Sequence, residues 1–149
     1  IEGWNHSPQG TANARITSLT DDATAHLQMQ DYYAPTDKEK QKAKEEAVLQ
    51  CLQRAASAPA DVWTINFLSG YSNRWLGFTP FATTSGYKRN AERIHTIVID
   101  SLTAKPQPTG IMMFDFAGCD KTGGGIWHWG CFKTLGTELV NKIIGQNFK

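Results

Sequence analysis

Apolar positions recur along this chain with strand and helix periods in turn, after a polar start. Residues 1–25 are rich in Gly, Asn, Thr, Ser and Asp, show no hydrophobic period, and are expected to form a loop. His26 to Tyr33 alternates and then ends in polar residues, which predicts a strand. Asp37 to Ser57 is dominated by Lys, Glu and Ala, good helix formers, with Thr36 or Asp37 as cap. Val48, Leu49, Leu52 and Ala56 make its apolar stripe, and Ala58-Pro59-Ala60 stops it. Val62 to Leu68 predicts a mostly apolar strand, followed by a long loop from Ser69 to about Gly86. A second helix is predicted from about Tyr87 to Leu102, with Ile94, Ile97, Val98 and Leu102 on one face. Gly110 to Phe116 is a nearly continuous apolar run and predicts a third strand. A Gly-rich loop from Gly118 to about Gly130 leads into a third helix, about Lys133 to Gln146. Leu135, Leu139, Val140, Ile143 and Ile144 are expected to face inward there.

The order loop–β–α–β–α–β–α predicts parallel βαβ units with helices on the sheet. Three such units leave two open sheet edges and a small core. Further strands are therefore expected from another chain, a compact three-strand domain being the alternative. The opening Ile1-Glu2-Gly3-Trp4 has neither Met nor a signal-like segment, and fits a cut inside a longer precursor.

Composition narrows the class without choosing a function. A chain of 149 residues with 40% hydrophobic and 19% charged residues is that of a globular domain. A net charge of +1 offers no general attraction to nucleic acid, and none is expected as a partner. No apolar run approaches the roughly 20 residues that a membrane helix needs. Cys119 and Cys131 bracket the Gly-rich loop and are candidates for a disulfide, which leaves Cys51 to pair with another chain. The alternative is three reduced thiols, with Cys51 as a small apolar helix residue.

In parallel α/β barrels the chemistry sits at the C-terminal ends of the strands. Here those ends read Gln30-Asp31-Tyr32-Tyr33, Asn66-Phe67-Leu68-Ser69 and Phe114-Asp115-Phe116-Ala117-Gly118. In that order the set resembles the last three strands of bacterial-type phosphatidylinositol-specific phospholipase C domains. The likeness runs from about His26 to the end, and it rests on order, spacing and element type together. It implies an α/β fold: the C-terminal part, about three βα units, of a TIM-like (β/α) barrel, residues 1–149, completed by a second chain.

The resemblance also implies roles. Asp31 matches the carboxylate that accepts hydrogen bonds from inositol hydroxyls, a task suited to a two-oxygen acceptor. Tyr33 matches the aromatic that lies against the inositol ring, and Ser69 belongs to the Asn-Phe-x-Ser pattern at the substrate end. Asp115 matches the carboxylate that orients the general-base histidine, fixing its tautomer and raising its pKa. Without the resemblance, Asp31 reads as a helix N-terminal acid or a turn residue, Tyr33 as a rim or core aromatic, and Asp115 as a strand-end Asp bonded to backbone amides. Trp75 matches a membrane-contacting Trp, and Trp127 and Trp129 stand in the last loop. These rings suit a bilayer interface or, alternatively, cover the barrel mouth.

The family's two catalytic histidines and its phosphate-binding arginine belong to strands that this chain does not carry. Of the four histidines here, His26 starts a strand, His95 lies on a helix, and His6 and His128 lie in loops. The implied protein is a processed two-chain enzyme, secreted or on the cell surface. Its expected partners are the N-terminal half of the same precursor, a phosphatidylinositol-type lipid and, transiently, a membrane surface. No cofactor and no metal site is expected; a calcium-assisted variant would place its carboxylates in the other half. The alternative function is a non-catalytic subunit that binds inositol lipid or glycan on the same barrel.

Overall fold

The computed structural model describes residues 11–17, 24–33, 37–76, 79–81, 85–123 and 131–147. Four strands form the main sheet: β1 (Thr11–Thr17), β2 (Thr24–Gln30), β3 (Val62–Phe67) and β6 (Ile111–Met113), in that spatial order. β2, β3 and β6 are parallel neighbours in register, with Leu27 opposite Trp63, Ile65 opposite Ile111 and Phe67 opposite Met113. Helix α1 (Lys38–Ser57) joins β2 to β3, α2 (Gly86–Ala104) joins β3 to β6, and α3 (Gly136–Asn147) follows. Two short antiparallel ribbons decorate this frame: β4 (Arg74–Leu76) with β5 (Thr79–Phe81), and β7 (Lys121–Gly123) with β8 (Cys131–Lys133).

The three βα units stand as the sequence predicts, and the polar start does not. Thr11–Thr17, expected as loop, is a strand paired antiparallel to β2 along its whole length. An edge strand is held by its backbone ladder, so it needs no apolar run to announce it. The third strand also stops early, at Met113, because Asp115 to Gly118 turns away from the sheet. Phe116 takes a left-handed backbone there (φ 61°), a conformation that an aromatic residue adopts at some cost.

Asp37 caps α1 by accepting a hydrogen bond from the Lys40 amide at 2.7 Å. The core lies between the sheet and its helices: Val48 and Leu52 of α1, Leu68 just after β3, Ile94, Val98, Ile99 and Leu102 of α2, and Leu139 of α3. Met112 and Phe114 pack on it from the sheet side. The buried face of α1 is not quite the predicted stripe, for Gln41, Lys44, Val48, Cys51 and Leu52 are buried while Ala56 is exposed. On α3, Ile144 faces outward rather than in.

Alternation along the strands sends a second set of side chains to the opposite face of the sheet. Leu27 and Met29 pack there with Ile65. Farther along that face Trp63, Ile111 and Met113 are each about half exposed, Trp63 at 52%. In a closed barrel this face would be interior.

Candidate functional site

The C-terminal ends of β2, β3 and β6 lie side by side, so the three predicted motifs meet at one end of the sheet. The ladder between β3 and β6 extends one step further, with the Leu68 amide donating to the Met113 carbonyl at 2.8 Å. The β2 and β3 exits are joined in the same way, the Tyr71 amide donating to the Tyr33 carbonyl at 3.0 Å. Gly70 lies in this seam, where an added Cβ would stand 2.8 Å from the Tyr33 carbonyl oxygen. No other residue type allows the two chains to approach so closely.

Asp31 is half-buried and Tyr33 is 50% exposed, directly after β2. The Tyr33 hydroxyl donates to that of Tyr87 at 3.0 Å, and the Tyr87 ring in turn meets Tyr71 edge-on at 5.0 Å. Three tyrosines, from the exits of β2 and β3 and the start of α2, thus form one cluster, in which Tyr33 and Tyr87 are exposed and Tyr71 is half-buried. The hydrogen bond with Tyr87 holds the Tyr33 phenol above its ordinary pKa, burial adds to this, and the charges of Tyr87 and Asp115 contribute least. Asp115, half-buried in the turn after β6, is therefore within electrostatic reach of Tyr33. Ser69 is half-buried between them in the sequence of strands, and its carbonyl accepts from Lys44 at 3.2 Å.

The turn that carries Asp115 is clamped by the segment entering α3. The Cys119 amide donates to the Phe116 carbonyl at 2.9 Å, the Gly136 amide to the Cys119 carbonyl at 3.1 Å, and the Thr134 hydroxyl to the same carbonyl. Asp120 accepts from the Thr137 amide at 2.7 Å, at the start of α3. A side chain at Gly136 would run into the Phe116 carbonyl, so glycine is required at this crossing.

His95 is packed, not presented. It is buried, its Nδ1 bonds the Thr134 carbonyl at 2.6 Å, and its ring stands edge-on to Phe114 at 5.1 Å. Because a carbonyl only accepts, Nδ1 carries the proton. Burial pushes the His95 pKa down, against the Thr134 carbonyl and the Asp115 charge. His26 is exposed at the opposite, N-terminal part of β2. His6 and His128 lie outside the described residues.

The residue that sequence reasoning missed is Lys44. It is fully buried, and its ammonium donates to Gln30 Oε1 at 3.2 Å, to the Phe67 carbonyl and to the Ser69 carbonyl. Burial pulls its pKa down to about 7, while the charges of Asp31 and Cys51 oppose that fall. The signal was present in the spacing: Lys44 precedes Val48, Cys51 and Leu52 by four, seven and eight residues, on the apolar stripe itself.

All three cysteines are free thiols. Cys51 is fully buried under β3, its thiol donating to the Ile65 carbonyl at 3.6 Å, and burial raises its pKa. In this arrangement it is a buried residue of the α1 face that packs on the sheet. Cys119 instead donates to the Lys121 carbonyl at 3.3 Å, and Cys131 is exposed opposite Gly123 in the β7–β8 ribbon. Trp75 lies in β4 opposite Pro80, its side chain outside the described set; Trp127 and Trp129 lie outside the described residues altogether. Among the described residues no three His, Cys, Asp or Glu side chains gather as a metal site, and no helix is long and apolar enough to cross a membrane.

Solved structures of the phosphatidylinositol-specific phospholipase C from Staphylococcus aureus share this fold. A point mutant of that protein matches with a TM-score of 0.61 and 22% sequence identity, over 95% of this chain and 39% of that one. A form with incorporated pentafluoro-Phe matches with a TM-score of 0.61 and 20% identity, over 98% and 40%. A double mutant matches at 0.57 and 20%, over 93% and 39%. The chain thus spans about two fifths of the length of these structures. No family model and no curated protein matches it. What the likeness establishes is the fold: three parallel βα units corresponding to part of a TIM-like phospholipase barrel.

Proposed function

We propose that this chain forms the inositol-recognition side of a phosphodiesterase that cleaves phosphatidylinositol, or a glycosylated relative, within a barrel completed by further βα units. The observation that carries this reading is the convergence of Asp31 and Tyr33 after β2 with Asp115 after β6, at the strand ends of a phospholipase-type fold.

In this reading Asp31 accepts hydrogen bonds from ring hydroxyls, and Tyr33 offers its exposed face to the ring. Ser69 lines the same end. Asp115 orients an imidazole contributed by the remainder of the barrel. That imidazole takes the proton of the inositol 2-hydroxyl, whose oxygen attacks phosphorus. The phosphorus–oxygen bond to diacylglycerol breaks, a second histidine protonates the departing oxygen, and a cyclic inositol phosphate forms. Neither His26 nor His95 stands at the strand ends, so acid–base work falls to residues outside the described part.

The completing units would be the N-terminal half of the same precursor, present as a separate chain. Their docking is supported by the half-exposed Trp63, Ile111 and Met113 on the sheet face that a barrel would enclose. β1 covers the outer edge of β2, so the two edges of the described sheet are β1 and β6. Action on lipid brings the strand ends to a membrane surface, outside the cell, with the Trp75 ribbon toward it.

The test is an assay of the assembled protein on phosphatidylinositol vesicles, following diacylglycerol and cyclic inositol phosphate together. Release of both supports the reading. Saturable headgroup binding without turnover would favour the alternative of a binding subunit.

A further inference from the structure

We infer that Lys44 is a positioning residue: its ammonium ties the exits of β2 and β3 together and so sets the placement of Asp31, Tyr33 and Ser69 toward a polyhydroxylated ring. The inference rests on the recognition role proposed above and adds a residue to it that touches no substrate.

The geometry is that of a three-way tie. An ammonium has three donors, and here it meets three acceptors: Gln30 Oε1 from the end of β2, and the Phe67 and Ser69 carbonyls from the exit of β3. Gln30 is the second hub. Its amide nitrogen donates to Asn66 Oδ1 at 3.0 Å and to the Phe67 carbonyl at 2.8 Å. Its Oε1 accepts from the Tyr32 amide at 2.6 Å as well as from Lys44. Asn66 fastens the group to α1 by donating to the Val48 carbonyl at 2.9 Å.

Asp31 is thereby bracketed. The residue before it gives its side chain to the residue after it, so the backbone at Asp31 is fixed on both sides. Ser69 is held by its own carbonyl, and two residues on, the Tyr71 amide grips Tyr33. Asp31 is also the carboxylate whose charge acts most strongly on Lys44.

A catalytic part for Lys44 itself is excluded by access, since it is fully buried. A purely stabilising part is a poor reason for the residue. Burying an ammonium costs several kcal/mol, and an apolar side chain of like volume often packs as well or better. What an apolar replacement cannot do is hold three oxygens from two strand exits at fixed distances.

The experiment uses the assembled protein labelled with 15N-lysine and titrated with myo-inositol below pH 7, where Lys44 is an ammonium, beside the Lys44→Met variant. The Lys44 Nζ resonance of the wild type is expected to shift on saturation, although the ligand does not touch it. Lys44→Met, folded by circular dichroism, is expected to bind myo-inositol about tenfold more weakly, as loss of alignment of a recognition group entails. Equal affinity of the folded variant, or an Nζ signal unmoved at saturation, overturns the inference. Should the variant fail to fold, the wild-type resonance alone decides. Absence of binding by the wild type would overturn the inositol reading, and this inference with it; that failure shows in the wild type, whereas failure of the Lys44 role alone does not abolish wild-type binding.

Discussion

The hydroxyl of Tyr33, at the end of β2, donates to the hydroxyl of Tyr87, in the first turn of α2, across 3.0 Å. This bond is the main reason that the Tyr33 phenol is harder to ionise than usual. Removing the partner in Tyr87→Phe is expected to lower the Tyr33 titration point toward the ordinary phenol value. Ultraviolet difference titration of wild type and variant reads this directly. An unchanged curve would show that the two hydroxyls are not paired in solution.

The seam between the β2 and β3 exits depends on Gly70. In Gly70→Ala the new methyl meets the Tyr33 carbonyl oxygen at 2.8 Å, and backbone must shift to admit it. A loss of about 1–3 kcal/mol is expected, the range for overpacking. Urea denaturation measures it, and a variant as stable as the wild type would mean that the seam is open.

Lys44 gives stability a pH dependence whose sign is fixed. Its folded pKa of about 7 lies below the ordinary 10.5, so between these values the unfolded chain binds more protons than the folded one. Stability must then rise with pH across that window, by at most about 1.4 kcal/mol per pH unit from this group. Below pH 7 the cost of the buried ammonium is present in full. Relative to Lys44→Met, the wild type is expected to gain stability from pH 7 to 10. A parallel pair of curves from urea denaturation would contradict this.

Cysteine reactivity separates the buried thiol from the other two. Cys51 is expected to resist a thiol reagent until denaturant is added, since burial both hides it and raises its pKa. The exposed Cys131 is expected to react in the native protein. Mass spectrometry of modified peptides checks both, and native labelling of Cys51 would show that α1 does not sit on β3 as described.

Much of the fold was legible because period, capping and breaker signals agree in the three βα units. Asp37, Pro59 and the runs at Val62 and Ile111 each mark an element whose local preference matches its packing. β1 was not legible, since Thr11–Thr17 is held by a backbone ladder that leaves no apolar signature. The short end of β6 was hidden too, because Phe114 and Phe116 read as strand while the chain turns beneath them. Asp31, Tyr33 and Asp115 were singled out by the family resemblance, and they lie just after β2 and β6. Lys44 was passed over although it stands on the apolar stripe of α1, because a lysine in a Lys/Glu-rich helix reads as solvent-facing, and the pairing of Tyr87 with Tyr33 is a tertiary contact that leaves no local signal.

The central claim is that Asp115, at the end of β6, serves phosphodiester cleavage on an inositol lipid. The most direct measurement is 31P NMR of phosphatidylinositol vesicles incubated with the assembled wild-type protein and with Asp115→Asn. The account predicts a cyclic inositol phosphate signal from the wild type and a rate lower by about a hundredfold or more in the variant, the usual scale for disabling acid–base catalysis. Equal rates in the two proteins, or no phosphorus product from the wild type, would contradict it.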